Sequence, residues 1–337
     1  MTTAIVGLSR LAPALVVSFV GTGAAASGED SFRSMQFQVQ QITPMGKIGP
    51  LVVNGLKVPA GVYDEVVRIN FQESRGSDVA TCTGVLLHNQ GAVLTAGHCS
   101  CGVLESYSFV TKGDFERFAL DLDNVTMHPI REPVRFPGYI CSPVANNAGR
   151  DLALFFVQTP DQAKDADTRP RKDGPLTRLA SMGAVYAAQA RQLVVAGYGY
   201  TEARKLPSAL MRAAVGVDSY FCSTGAAFEG TPCAGFREFV LSSPGGSGPP
   251  TDACGGDSGG PVYWYPPPKG AGDHNTSVPL EALVGITSRG LAFARNLPDL
   301  PCGGGGIYTA VGRSDVLNWL SSFGVSVRTT DMPDVQP

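Results

Sequence analysis

Three fragments of the chain carry residue types that together suit nucleophilic catalysis. One contains Gly97-His98-Cys99, the second contains Arg150-Asp151-Leu152, and the third is Gly256-Asp257-Ser258-Gly259-Gly260. A serine hydroxyl is a poor nucleophile until a neighbouring imidazole takes its proton, and that imidazole needs a carboxylate on its other nitrogen to fix its tautomer and orientation. One histidine, one aspartate and one serine are sufficient, so His98, Asp151 and Ser258 are candidate catalytic residues.

The proposed chemistry also explains why glycines surround Ser258. The chain must turn sharply there so that backbone N–H groups converge on a developing oxyanion, and Cβ atoms would crowd that turn. We therefore expect the N–H groups of Gly256 and Ser258 to form an oxyanion hole.

The elements that position these residues are predicted to be strands. From Val66 onward, short β-branched and aromatic runs of strand length alternate with clusters of Gly, Pro and Asn. The runs are Val66–Phe71, Gly84–Leu87, Ala92–Leu94, Ala153–Val157, Leu193–Ala196 and Leu283–Ile286. The best helix candidate is Ser314–Phe323, with Ser314 as its cap. The Pro-rich and Gly-rich segments 243–250 and 265–272 are predicted to be surface loops.

Composition limits the function classes. The chain has 337 residues, of which 43% are hydrophobic and 16% charged, and it contains 41 glycines and 25 prolines. This length suits about two domains of roughly 150 residues each, and the composition favours a folded, β-rich chain over one of long charged helices. With 26 basic against 29 acidic residues and a net charge of −3, we expect no nucleic-acid partner.

The N-terminal residues predict the compartment. Residues 1–26 are interpreted as a signal peptide, with an apolar stretch over Leu11–Val20 and a cleavage site at Ala24-Ala25-Ala26. A disordered N-terminal tail is the alternative. Residues 27–51 are polar and are interpreted as a propeptide or linker. No later stretch has the roughly 18–20 continuous apolar residues of a membrane helix, so we expect a secreted, periplasmic or extracellular protein without membrane contact.

The eight cysteines are expected to be oxidised in such a compartment. Four disulfides allow roughly a hundred connectivities, so the cysteine count leaves the pairing open. Cys99-x-Cys101 would be a candidate metal pair in a reducing compartment, whereas a disulfide is favoured in an exported chain. The four histidines have no metal-ligand spacing. We expect neither a metal nor a cofactor.

The three fragments, in the order His, Asp, Ser, resemble the trypsin-like serine endopeptidases of the chymotrypsin family over residues 52–323. Three further segments agree with this resemblance: Gly197-Tyr198-Gly199, Ser288-Arg289-Gly290 and Gly306-Ile307-Tyr308. The resemblance implies an all-β fold of two antiparallel six-stranded β-barrels, with the site in the cleft between them, and a C-terminal helix. It makes His98 the general base and then acid, Asp151 its orienting carboxylate, and Ser258 the acylated nucleophile. Residues 324–337 would be a C-terminal tail.

The resemblance also implies where substrate binds. Asp252, six residues before Ser258, stands where trypsin-type members carry the carboxylate at the floor of the specificity pocket. A buried carboxylate needs a cationic partner, so we expect cleavage after Arg or Lys. Ser288 and Gly290 would lie on the strand that pairs with the substrate backbone, and Gly306 beside the pocket.

The chain departs from the family pattern close to this pocket. Arg289 stands where the family usually has Trp, which replaces an apolar surface with a cation. That cation would either attract acidic residues upstream of the scissile bond or screen Asp252. The chain from Gly290 to Cys302 is also longer than the family norm.

The resemblance implies three disulfide pairs, which leave two cysteines to form a fourth pair by elimination. Cys82 pairs with Cys99 beside the histidine, Cys222 with Cys233, and Cys254 with Cys302 near the pocket. Cys101 and Cys141 then form the fourth pair.

Activation by proteolysis is a further implication of the resemblance. A new N-terminal amine at Val52, produced by cleavage after Leu51, would pair with Asp257 and shape the oxyanion hole. A protease specific for Arg or Lys is not expected to cut after Leu51, so a separate activating protease is needed or the cut lies elsewhere, for example after Lys47. The expected partners are a protein or peptide substrate, an activating protease and a protein inhibitor.

Two other functions compete with this hypothesis. Gly256-Asp257-Ser258-Gly259-Gly260 also fits the nucleophile motif of α/β-hydrolase esterases, but those enzymes need Asp and then His after the serine, and only His274 follows. The second alternative is a catalytically silent, protease-like binding or regulatory module. Such modules usually lose a catalytic residue, and this chain has all three.

Overall fold

The computed structural model describes residues 52, 54–59, 62–71, 80–87, 92–101, 109–111, 127–129, 133–142, 145–156, 177–201, 206–207, 209–222, 231–242, 251–265, 281–291 and 302–329. The predicted signal peptide (1–26), all of the predicted propeptide (27–51), both predicted loops except residue 265, and the end of the predicted tail (330–337) lie outside the described residues.

Strands make up most of the described structure. They are β1 (Leu56–Lys57), β2 (Val66–Phe71), β3 (Ala80–Leu87), β4 (Ala92–Thr95), β5 (Phe109–Thr111), β6 (Met127–Pro129), β7 (Val134–Arg135), β8 (Ala153–Phe156), β9 (Arg178–Leu179), β10 (Gln192–Gly197), β11 (Met211–Ser219), β12 (Glu238–Ser242), β13 (Pro261–Trp264), β14 (Ala282–Gly290), β15 (Gly306–Ala310) and β16 (Arg328–Thr329). A 3₁₀ helix spans Gly97–Ser100, and two α-helices, α1 and α2, span Met182–Ala187 and Ser314–Ser322. Each of the six runs predicted to be strands lies within or largely overlaps one of these strands.

The first sheet contains β4 and β8, the strands next to His98 and Asp151 in the chain. Its seven strands follow the order β6-β5-β2-β3-β4-β8-β7, with antiparallel pairing throughout. All six residues of β2 and all four of β4 are buried. The buried residues of β2 include the polar side chains Arg68 and Asn70 beside its apolar ones. Ile69, Leu94 and Leu154 belong to this core.

The second sheet closes into a barrel. Six strands form the ring β13-β10-β11-β12-β15-β14, and antiparallel pairing of β13 with β14 completes it. Phe239 and Tyr308 stack within its core, with ring centroids 5.5 Å apart. The expected all-β double-barrel fold with a C-terminal helix is confirmed, with a closed six-stranded barrel and a second sheet.

Two short strands extend the second sheet in a way that the sequence did not predict. β9 pairs with β14, and β16 pairs with β9, both in parallel. The start of the predicted tail therefore adds a strand to the second sheet, and Val325 near it is buried.

The C-terminal helix packs on the first sheet. Val316, Trp319 and Leu320 are buried in the first core, and Trp319 meets Phe136 edge to face at 5.2 Å. The predicted cap at Ser314 is wrong, because Ser314 is already helical and Arg313 occupies the N-cap position in an extended conformation without a side-chain cap. Among the described residues, no helix is long and apolar enough to cross a membrane.

All four expected disulfides are present. The pairs are Cys82–Cys99, Cys101–Cys141, Cys222–Cys233 and Cys254–Cys302. One of them holds Cys99 within the 3₁₀ helix that carries His98, and another holds Cys101 directly after that helix, so two disulfides fix this helix to its surroundings.

Candidate active site

Pairing of two strands brings His98 and Asp151 together. Thr95 at the end of β4 lies opposite Ala153 at the start of β8, so the residues just beyond these strand ends are neighbours. The Nδ1 atom of His98 lies 2.9 Å from Oδ2 of Asp151, and the backbone N–H of His98 donates to Oδ1 at 2.8 Å. Both side chains are buried. The carboxylate thus fixes both the ring and the backbone of His98.

Asp151 is held as an anion despite its burial. Burial favours the neutral carboxyl group, but the positive charge and hydrogen bonds of His98, with the hydroxyl of Ser288, lower the pKa of Asp151 below its usual value. The Ser288 hydroxyl donates to Oδ2 at 2.6 Å. An ionised Asp151 can stabilise an imidazolium on His98.

Ser258 lies in a tight turn before β13. Gly256 and Gly259 have positive φ angles of 94° and 82°, which side chains rarely allow. A Cβ atom on Gly259 would lie 1.9 Å from Oγ1 of Thr95 and 2.3 Å from the carbonyl oxygen of Thr83. This turn therefore needs glycine both for its conformation and for its close contact with the first sheet.

The turn is attached to residues beside His98. The backbone N–H of Thr83 donates to the carbonyl oxygen of Ser258 at 2.8 Å, and the Thr83 hydroxyl donates to that of Gly256 at 2.9 Å. Sγ of Cys99, the residue after His98, lies 3.5 Å from the same Ser258 oxygen. The two barrels thus meet where the three candidate catalytic residues lie.

A pocket of about 110 Å³ opens next to Ser258. It is lined by Ala253, Cys254, Gly255, Ser258, Thr287, Arg289, Gly290, Gly306 and Tyr308. Of the predicted substrate-binding residues, Gly290 and Gly306 line it directly. Ser288 does not, because its side chain turns away to Asp151.

A family model for trypsin matches residues 52–320, which is most of the chain. The chain belongs to the trypsin family. Comparison with curated proteins found no match. Membership makes this a trypsin-like serine peptidase domain, a class that acts on protein substrates, and the four disulfides fit the extracellular setting common in this family.

Asp252 of this trypsin-family domain does not line the pocket itself, although the next residue, Ala253, does. Asp252 is 2% exposed, and its Oδ2 accepts hydrogen bonds from the N–H groups of Gly303 and Gly305 at 3.0 and 2.9 Å. Burial raises the pKa of Asp252 to about 6, while the backbone hydrogen bonds oppose that rise. The carboxylate is therefore mostly ionised at neutral pH, and its hydrogen bonds within the described part of the chain come from backbone N–H groups rather than from a cation.

Tyr308 is a further polar residue of the pocket lining. Its hydroxyl is buried and, among the described residues, has no hydrogen-bond partner. Burial, with the nearby charges of Asp252 and Asp257, raises its pKa well above the usual value, so it remains a neutral donor. A buried hydroxyl that makes no hydrogen bond costs folding free energy.

Among the contacts of the described residues, none joins the two predicted activation residues, Val52 and Asp257. Asp257 is buried, and its two oxygens accept hydrogen bonds from the N–H groups of Gly199 and Cys254 at 2.7 and 2.8 Å. Burial, aided by the charge of Asp252, raises the pKa of Asp257 to about 7. Val52, bonded to Leu51 in this chain, is buried in the core of the second barrel.

One cluster in the described part of the chain has the residue types of a metal site. It consists of Cys82, His98 and Cys99. The two cysteines form a disulfide, which removes both thiolates, so the cluster is poorly suited to bind a metal.

The structure also brings together residues that the sequence did not connect. Arg289 binds the buried carboxylate of Glu238, and Ser288 links this pair to Asp151. The available signal was a glutamate directly before the apolar run Phe239-Val240-Leu241. Such a buried carboxylate requires a partner, although the sequence does not say which.

Proposed function

We propose that the protein is an exported endopeptidase that hydrolyses peptide bonds through an acyl-enzyme on Ser258. The observation that carries this proposal is the buried His98–Asp151 pair, which lies against the turn that holds Ser258. In this function, His98 acts as general base and then general acid, and Asp151 fixes its tautomer. No cofactor is needed for this chemistry.

The proposed reaction proceeds in two displacements. His98 takes the proton of the Ser258 hydroxyl as its oxygen attacks the scissile carbonyl carbon. The N–H groups of Gly256 and Ser258 stabilise the oxyanion, and the glycine conformation of the turn supports this role. The tetrahedral intermediate collapses, His98 gives its proton to the leaving amine, and the acyl group stays on Ser258. Water, activated by His98, then releases the acid product.

Cleavage after Arg or Lys is the specificity that we propose. Asp252 supports this specificity, because its buried carboxylate directly precedes Ala253, which lines the pocket. A guanidinium or ammonium entering the pocket would gain from this charge, whereas an apolar side chain would leave it uncompensated. Gly290 would pair with the substrate backbone, and Gly306 leaves room at the pocket wall.

We also propose latency before cleavage near Val52, with residues 1–26 as signal peptide and 27–51 as propeptide. Asp257 supports this idea, because its raised pKa reflects a buried carboxylate that a cation would stabilise. An amine freed at Val52 by a separate protease would provide one. Cleavage after Lys47 stays an alternative, and N-terminal sequencing of the active species distinguishes the two. Export is supported by the four disulfides.

Peptide hydrolysis by the processed protein tests the proposed activity. We expect it to cleave peptide substrates, Ser258→Ala to abolish this activity, and Ser321→Ala, which changes an exposed serine on α2, to leave it intact. A processed, folded wild-type protein that cleaves no member of a peptide library would favour the silent binding module. Hydrolysis of esters alone would favour an esterase.

A further inference from the structure

Arg289 lines the pocket, and its guanidinium is held by a two-point ion pair with Glu238. The Nη1 atom of Arg289 lies 2.7 Å from Oε1 of Glu238, and its Nη2 atom lies 2.9 Å from Oε2. A guanidinium and a carboxylate match in this geometry, which fixes both position and orientation. The Arg289 side chain is 29% exposed and that of Glu238 is 0% exposed. The pair is therefore largely removed from solvent.

Glu238 joins three segments around the cleft. Besides Arg289, its carboxylate accepts a hydrogen bond from the N–H of Gly149 at 2.7 Å and one from Ala234 at 2.8 Å. Gly149 lies two residues before Asp151, and Ala234 follows a disulfide-bonded cysteine. One buried carboxylate thus ties the segment that carries Asp151 to strand β14.

Arg289 also fixes the direction of the hydrogen bond that Ser288 makes. The Nη1 group of Arg289 donates to Oγ of Ser288 at 3.1 Å, and the Ser288 hydroxyl donates to Oδ2 of Asp151 at 2.6 Å. Because a guanidinium can only donate, Ser288 must accept from Arg289 and point its own hydrogen at Asp151. The chain of contacts therefore runs from Glu238 through Arg289 and Ser288 to Asp151 and His98.

We propose that Arg289 and Glu238 form a positioning pair that holds Asp151, and through it His98, in the orientation needed for catalysis. This inference rests on the proposed function of the site. Because Glu238 already neutralises the guanidinium of Arg289, this cation is not free to attract acidic residues of the substrate.

Two variants and one control test the positioning pair. The double variant Arg289→Met with Glu238→Gln removes both charges and leaves no unpaired ion in the core. Arg289→Lys keeps a cation for Glu238 but loses the two-point geometry. The control, Arg328→Met with Asp218→Asn, also removes one cation and one anion, but both residues are exposed.

The first readout is the ¹H NMR resonance of the Nδ1–H proton that His98 shares with Asp151, measured on the purified chain. We expect this resonance to move in the double variant, to move less in Arg289→Lys, and to match wild type in the control. A wild-type resonance in either test variant, with fold confirmed by circular dichroism, would overturn the inference. If the double variant does not fold, Arg289→Lys decides alone.

The second readout is steady-state hydrolysis of peptides. We expect kcat of the double variant to fall about tenfold, the factor for one hydrogen bond to a charged group, with KM little changed. Equal kcat in the double variant and control would contradict the positioning role. If the wild-type protein hydrolyses nothing, the proposed function fails, while the NMR resonance still tests the pair itself.

Discussion

Asp252 and Asp257 are two acidic residues five positions apart with different proposed tasks. Both are buried and have raised pKa values, Asp252 of about 6 and Asp257 of about 7. Asp151, which is equally buried, has a lowered pKa because His98 and Ser288 support its charge. The contrast identifies Asp151 as the carboxylate already paired within the chain, and the other two as those that gain from an added cation.

The pH dependence of specificity tests the role of Asp252. Its raised pKa means that the free enzyme carries this charge above about pH 6 and loses it below. The ratio of kcat/KM for an Arg substrate to that for a matched Leu substrate should therefore fall about tenfold from pH 8 to pH 5. Using the ratio cancels the titration of residues that serve both substrates.

The control for this measurement is Asp252→Asn, in which we expect a low Arg-to-Leu ratio that does not change with pH. Wild-type enzyme with a constant ratio across this range, or with a preference for Phe or Leu, would contradict the assignment of Asp252 to specificity.

Strand pairing, rather than local sequence, places the candidate catalytic residues. His98 and Asp151 are neighbours because β4 pairs with β8, and Ser258 joins them because its turn docks on β3 and β4. The glycine motif around Ser258 serves this docking. Gly259 is the position where the fit to the first sheet is closest.

Substitution of Gly259 tests the docking. Gly259→Ala should lower the free energy of unfolding by about 2–6 kcal/mol, because strain at positive φ adds to the clash with Thr83 and Thr95. The matched control is Gly324→Ala: φ is 74° there, but a Cβ atom would meet nothing within 4 Å. It should cost only about 1 kcal/mol. Denaturant unfolding measures both, and equal losses would contradict a docking role.

At the element scale, sequence patterns predicted the strands well and their partners poorly. The runs at Val66–Phe71 and Ala92–Leu94 became β2 and β4, since hydrophobic period and turn residues are local signals. The parallel strand β16 was missed because its two residues, Arg328 and Thr329, are exposed and polar. Only its contact with a strand about 150 residues away reveals it.

Across the whole molecule, the site assembles at the junction of two sheets that are distant in sequence. The residue types for catalysis were predicted from chemistry, because few side chains suit a nucleophile, a base and an orienting acid. The Glu238–Arg289 pair was not, because its members are 51 positions apart and lie on different strands. Sequence departures such as Arg289 become interpretable only when their partners are known.

Covalent labelling of the processed protein tests the central claim most directly. A sulfonyl fluoride or fluorophosphonate reacts with a serine only when a neighbouring base activates it. Intact mass spectrometry and peptide mapping should find one adduct per chain, on Ser258, and none in His98→Ala. A folded, processed chain that stays unmodified, or one labelled at another serine, would contradict the assignment of Ser258 as the catalytic nucleophile.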